Sequence, residues 1–460
     1  MSALVALTCA CAGGASRGGH PAQAPEPAPA TEPTPAIEPA APAPLPPAEV
    51  IPPARAADVA SFDHVWTTIR DRHFDPTFGG LDWNAVRAEL RPKVIAARNS
   101  EEARAVLEDL ISRLKLTHFA IMPGPTESDA AAAADAGDEG HGSVGLEVRP
   151  LGEAIVVTAV VPGGPAAKAG VKPGWTIDAI GGKPVSALLG RVRVGHEHSS
   201  LLPLEEVGSV RGALGGAVDG TVEVTFLDGR GKPQKKKLAR VAPAGTVTQF
   251  GHMPPLAVEY QSKRVGPKGT VAYVRLSLFF DPARILPAWQ KDVAALGDAR
   301  GLVLDLRGNP GGLGGMAMGM SGWLVKDVAA LGVMRSRDGD LKFVVNPQAT
   351  PYAGPVAILV DELSASTSEI LAAGLQDLGR ARVFGRRTPG AALPSQVEQL
   401  PNGDLFQYAV ATYVSSGGRT LEGNGVVPDE TVALDRKSLL AGKDAVLDAA
   451  LRWIATQEKP

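Results

Sequence analysis

The chain has 460 residues, 44% of them hydrophobic and 21% charged, enough for two or three domains with sizeable cores. Its net charge of -3 gives no electrostatic basis for a nucleic-acid or anionic-membrane partner. Both cysteines, Cys9 and Cys11, lie in the apolar start, so the rest of the chain can hold no disulfide and no thiol nucleophile. Residues 1–20 resemble a secretion signal, although without a basic n-region. Ala10-Cys11 followed by small residues is similar to a lipoprotein cleavage site, with Thr8 where such sites usually carry Leu. Export to the periplasm or cell envelope is the expectation, with a lipid anchor through Cys11 left open. No later segment has the uninterrupted apolar length needed to span a membrane. Residues 21–55 are rich in Pro and Ala and predict an extended, semi-rigid tether.

Residues 56–126 read as helical. Phe62, Val65, Trp66 and Ile69 recur at helical spacing, as do Val106, Leu107, Leu110, Ile111 and Leu114. Asp82 is placed to cap a further helix after the Gly79-Gly80 break. Residues 128–140, rich in Ala, Asp and Gly, read as a flexible loop. His196-Glu197-His198 lacks further ligands nearby and is expected to be a solvated loop rather than a metal site. From about 142 to 241 come short strands and turns, in an order similar to a circularly permuted bacterial PDZ domain. Val144, Gly145 and Leu146 would form its carboxylate-binding loop, and a peptide would bind by adding a strand to the sheet edge. Residues 185–220 are longer than that pattern needs and suggest an insertion.

Residues 250–455 alternate apolar strands with helical stretches, predicting a mixed sheet covered by helices. Within it, Val356-Ala357-Ile358-Leu359-Val360 precedes Ser364-Ala365-Ser366-Thr367-Ser368-Glu369. A buried strand, a turn crowded with small hydroxyl residues and a helix start near Glu369 is a common way to present a nucleophile. An ordinary Ser N-cap would read the same way.

Further segments decide between these readings. Asp305-Leu306-Arg307-Gly308-Asn309-Pro310-Gly311-Gly312, the serine turn, Thr388-Pro389-Gly390 and Gly425-Val426-Val427-Pro428-Asp429 occur in this order. Together they resemble the C-terminal processing peptidase and tricorn core protease superfamily of serine peptidases. The resemblance implies a multidomain α/β (α+β) protein with an N-terminal helical segment, a PDZ-like β-rich domain and a mixed-sheet, crotonase-like catalytic core. It implies Ser366 as nucleophile, with an oxyanion hole from the N–H of Thr367 and that of Gly311 or Gly312. No metal or organic cofactor is implied, and the partner is a polypeptide substrate.

The processing-peptidase branch takes its base from a lysine shortly after Thr-x-Gly, and this chain has Ala391 there. Either the protein is inactive, or another residue is the base. The tricorn branch, with a Ser-His pair and a later glutamate, points to Thr117-His118 and Glu422. His118 would take the proton from Ser366, and Glu422 would orient the group through the Thr117 hydroxyl. Against this, a lone His beside Leu116 and Phe119 is usually a core residue. Glu369 is expected to stabilise its helix, and Gln396 and Arg307 to be structural hydrogen-bonders. A noncatalytic ligand binder on the same fold, a peptide-binding scaffold, and an esterase or amidase using the same site remain as alternatives.

Overall fold

The computed structural model describes residues 50–124, 142–194, 199–249 and 255–458. The proposed signal, nearly all of the tether, the loop at 128–140 and His196-Glu197-His198 lie outside the described residues.

Three helices open the fold: α1 Ala56–Arg72, α2 Trp83–Ala96 and α3 Ser100–Ser112. Asp82 caps α2 by accepting from Ala85 N–H, and Asn99 caps α3 by accepting from Glu102 N–H. Trp66 and Trp83 donate indole N–H groups to each other's carbonyls at 2.9 and 3.1 Å, tying α1 to α2. The apolar faces of these helices form one cluster with Ile121, Phe406 and Tyr408. That packing delivers the chain after α3 onto the C-terminal core as strand β1, Ala120–Met122.

The PDZ-like domain holds β2 Leu146–Leu151, β3 Ala154–Val160, β4 Thr176–Ile180, α4 Val185–Arg193, α5 Leu202–Leu214, β5 Thr221–Leu227 and β6 Pro233–Ala239. The strands pair in sequence order, leaving β2 at one edge. The expected insertion is therefore two helices, α4 and α5, which bury Leu189, Val207 and Val210 in the domain's own cluster. Buried Arg149 on β2 pairs with Asp361 of the core at 2.6 Å, and Glu147 pairs with Arg275. Leu363 of the core joins the domain's apolar cluster.

The core begins with β7 Tyr260–Val265, β8 Val271–Leu276, α6 Pro282–Ala294, β9 Gly301–Asp305 and α7 Gly314–Ser321. It continues with β10 Ala329–Ser336, β11 Gly339–Val345, β12 Val356–Val360, α8 Thr367–Asp377 and β13 Arg382–Gly385. β14 Ser395–Gln399, β15 Leu405–Ala409, β16 Thr412–Ser415, β17 Glu430–Thr431 and α9 Ala445–Thr456 complete it. The main sheet runs β7-β8-β9-β12-β13-β17 and is parallel except for β7. Every residue of β9 and β12 is buried, as expected where helices cover both faces of a parallel sheet. Two smaller sheets, β1-β15-β14 and β11-β10-β16, stand beside it. β9 and β12 are neighbours, so their carboxyl ends release two loops side by side, one with the glycines and one with the serines. The carboxyl edge of a parallel sheet is where open α/β folds place their sites.

Candidate active site

Ser366 stands at the N-cap of α8 with φ 54° and ψ -118°, a conformation that costs a side-chain-bearing residue roughly 1–3 kcal/mol. Its N–H is held by Ala391 O at 2.7 Å and Glu369 Oε2 at 3.0 Å. The other hydroxyls of the turn bolt it to the glycine loop. Ser364 Oγ donates to Leu306 O at 2.8 Å, Ser368 Oγ to Asn309 O at 2.9 Å and Thr367 Oγ1 to Gly312 O at 2.6 Å. Ser366 alone in this turn has its hydroxyl against a titratable ring.

That ring belongs to His118, whose Nε2 lies 3.3 Å from Ser366 Oγ. Among the described residues it is the one titratable group hydrogen-bonded to that hydroxyl. His118 has φ 60° just before β1, and β1 is anchored on β15 with Ala120 opposite Gln407. The tautomer follows from its other contacts. Thr117 Oγ1 donates its single hydrogen to Glu422 Oε2 at 2.9 Å, so toward His118 Nδ1, at 2.8 Å, it can only accept. Nδ1 therefore carries the ring proton, and Nε2 presents a lone pair to the serine. Glu422 also accepts from Thr117 N–H at 3.0 Å and Ala392 N–H at 3.2 Å.

Burial sets the proton affinities. It lowers His118 to about 3, so the imidazole is neutral across the physiological range. It raises Glu422 above the usual carboxylate range, opposed by the hydrogen bonds from Thr117 and Ala392. It pushes Glu369 up to about 7, again against its donors. Glu369 is fully buried and accepts from Thr388 Oγ1 and from the N–H groups of Ser366, Gly390 and Ala391. It organises the turn that carries Ala391, and its side chain is spent on these four donors. Ala391 is itself buried and contributes its carbonyl to Ser366.

The two expected glycines differ. Gly311 N–H donates to Asn309 Oδ1 at 2.9 Å, so it is occupied. Its glycine identity is steric: a Cβ there would stand 2.6 Å from Ser366 Cβ, and φ is +104°. The N–H groups of Gly312 and Thr367 have no intramolecular acceptor among the described residues. Sequence reasoning gave no role to Asn309, which also donates Nδ2 to Leu276 O at 2.8 Å, though it stands inside the glycine motif. It also missed Asp361, which accepts from the N–H groups of Gly308 and Leu363 while bonded to Arg149. A lone Asp at a strand end carries no local signal of such a long-range role. Thr388, inside Thr-Pro-Gly, likewise links Glu369 to Val426 N–H. Arg307 pairs with Asp305 and Asp444, and Gln396 meets Arg72 and Tyr408, so both are structural.

A strained serine, a histidine with a free lone pair and two open N–H groups on one sheet edge form the constellation of acyl transfer. Residues 270–432 match the Peptidase family S41 model, residues 59–112 the Tricorn protease C1 domain and residues 156–193 a PDZ domain. The core belongs to peptidase family S41. The chain is a serine-type peptidase with a PDZ domain. It is 27% identical over 369 residues to the carboxyl-terminal-processing protease of Synechocystis sp., covering 80% of this chain and 79% of that one. Carboxyl-terminal-processing peptidase 3, chloroplastic, of Arabidopsis thaliana is 26% identical over 396 residues, covering 82% and 70%. The S41 fold recurs in the photosystem II D1 C-terminal processing protease, with TM-score 0.56, 24% identity and coverage of 87% and 98%. It recurs also in mature CPAF, with TM-score 0.59, 13% identity and coverage of 87% and 97%.

Proposed function

We propose that this chain is an exported peptidase that hydrolyses peptide bonds through an acyl-enzyme on Ser366, with His118 as base. Residues 142–241, with the loop at Val144, Gly145 and Leu146, capture polypeptide, and residues 250–455 carry the chemistry. The observation that carries the reading is the chain of contacts from Ser366 Oγ through His118 and Thr117 to Glu422.

In the first step Ser366 Oγ bonds to the substrate carbonyl carbon while its proton passes to His118 Nε2. The carbonyl electron pair moves onto oxygen, which accepts from the N–H groups of Thr367 and Gly312. The imidazolium keeps its Nδ1 proton on Thr117 Oγ1, and that hydroxyl passes the field of the Glu422 carboxylate inward. The tetrahedral adduct then expels the amine, which leaves with the proton from Nε2. Water activated by the same nitrogen attacks the acyl carbon and releases Ser366. No step needs a lysine at 391.

Export and the Cys11 anchor rest on the apolar start with small residues and the Pro/Ala-rich tether behind it. Among the described residues no helix is long and apolar enough to cross a membrane.

The experiment is fluorophosphonate labelling of the purified protein, read by intact mass, beside folded Ser366→Ala and His118→Ala variants. The expected result is one adduct in the wild type, none in Ser366→Ala and a collapse in His118→Ala. Labelling that survives His118→Ala refutes the histidine base, and a folded wild type that takes no label refutes the activated serine.

A further inference from the structure

Three consecutive residues bring the histidine to the serine, and each is gripped by a different part of the molecule. Thr117 is held by Glu422 and His118 meets Ser366. The ring of Phe119 stacks on the ring of His73, with 5.9 Å between centroids and 20° between planes. We propose that His73 is a positioning residue of the reaction: its ring fixes Phe119 and thereby sets the reach of His118 toward Ser366. The inference rests on the Ser366–His118 reading above and extends it to a residue outside the relay.

The place of His73 in the fold is the first argument. It caps the end of α1, with its N–H on Ile69 O at 2.9 Å, and is 2% exposed. Its ring lies in a pile of aromatic rings. Phe74 stacks on it at 4.5 Å, Phe78 tilts against it at 5.7 Å, and Phe78 in turn stacks on Trp83 at the start of α2. Rings at these separations attract one another through offset and tilted contacts, beyond the area they bury. Phe119 therefore docks on a shelf built by the α1–α2 junction, while the residue before it turns to the serine.

The second argument is that this shelf is fixed to the core. The last carbonyls of α1, on Arg70 and Asp71, accept from Arg337 at the tip of the β10–β11 hairpin, at 3.0 and 3.1 Å. Arg72 donates at 2.8 Å to Tyr408 Oη on β15, the strand that pairs with β1. Shelf and strand are thus tied to one sheet, and Phe119 is held between two fixed points.

The third argument is the choice of an imidazole. Nδ1 meets the backbone of Asp75, 3.0 Å from its nitrogen and 2.9 Å from its carbonyl oxygen. Nε2 is buried with no partner among the described residues. An unpaired buried nitrogen costs stability, and a leucine would fill the space without that loss. What the leucine lacks is a flat face with a polar edge for the turn. Burial lowers the proton affinity of His73, so the ring is a neutral plate. His118 needs such support because it stands at φ 60°, a left-handed conformation unfavourable for a residue with a Cβ. Its 3.3 Å contact with Ser366 Oγ has little slack, and a misplacement of about 1 Å costs on the order of 10² in rate.

The test compares His73→Leu and His73→Phe in the full chain, after circular dichroism has shown each to be folded. Leucine fills the site without a flat face, and phenylalanine restores the face. Fluorophosphonate labelling of His73→Leu should reach the same final occupancy as the wild type, at a rate about 30-fold lower. His73→Phe should recover the rate to within about threefold. A merely structural role would lower the final occupancy by the unfolded fraction and leave the rate of the folded molecules alone. A second arm needs no labelling: in ¹⁵N-histidine protein the His118 Nδ1–H resonance should be sharp in the wild type and His73→Phe, and broadened in His73→Leu. Where His73→Leu does not fold, Phe119→Leu removes the same stack from the other side and is read in the same way. A His73→Leu rate within about twofold of wild type, a His73→Phe rate as low as that of His73→Leu, or an unchanged His118 resonance in His73→Leu overturns the inference. A wild type that takes no label while the resonance follows this pattern supports the positioning role and refutes the Ser366 nucleophile instead.

Discussion

Glu422→Gln tests the relay with the smallest change of shape, because the side chain keeps its size and gains two hydrogens. Glu422 presents only acceptors, to Thr117 N–H at 3.0 Å, Thr117 O–H at 2.9 Å and Ala392 N–H at 3.2 Å. A glutamine must turn its NH₂ toward one of these places. Facing Thr117 Oγ1, it donates to the hydroxyl, which then turns its own hydrogen toward His118 Nδ1. The ring proton moves to Nε2, where a proton must be accepted. Facing Thr117 N–H, it sets two donors against each other beside the histidine. The wrong tautomer in a Ser-His-Asp triad costs about 10⁴ in kcat. With a hydroxyl interposed here between carboxylate and ring, a loss of about 10³ is expected, or about 4 kcal/mol at 1.36 kcal/mol per tenfold. The assay is the second-order rate of fluorophosphonate labelling, beside ¹⁵N NMR of His118 in the Ser366→Ala background. A rate within about threefold of wild type, or an unchanged Nδ1–H tautomer, would refute the reasoning.

Because burial keeps His118 neutral down to about pH 3, the acid limb of labelling belongs to the two buried carboxyls, Glu422 beside Thr117 and Glu369 on the Ser366 N–H. The rate should rise with pH as both ionise, above the usual carboxylate range, and Glu422→Gln should keep only the Glu369 limb near pH 7 in its residual rate. Stability carries the histidine signature instead: the unfolded imidazole takes a proton below its ordinary value of 6.5, while the native one refuses it until about 3. Stability from this group is present above pH 6.5 and is lost as pH falls, by about 3 kcal/mol at pH 4. In a Ser366→Ala background, His118→Asn, which tolerates the left-handed φ, should therefore lose about 3 kcal/mol less than its parent between pH 7.5 and pH 4 in urea titrations. Thr367→Val removes the bond to Gly312 O and should slow labelling about tenfold, with Thr367→Ser restoring it; equal rates for both variants would dismiss that bond as a positioning contact.

The nucleophile turn and the glycine loop were legible in the sequence because their demands are local. A chain that leaves one strand and enters a helix within a few residues needs small hydroxyl residues there, and a backbone pressed against Ser366 Cβ needs glycine at 311. The helical segment and the PDZ-like order were legible for the same reason, since periodicity and turn residues are read within short windows. His118 and Ser366 are 248 residues apart, and Thr117 and Glu422 are 305 apart. Their meeting depends on β1 pairing with β15 and on the helical segment packing against that sheet. The sequence could offer these residues only through a family resemblance. Which glycine keeps a free N–H was likewise settled by tertiary structure, because Asn309 reaches Gly311 and leaves Gly312 open. Residue type fixes what a position can do, but sheet order and register decide what it meets.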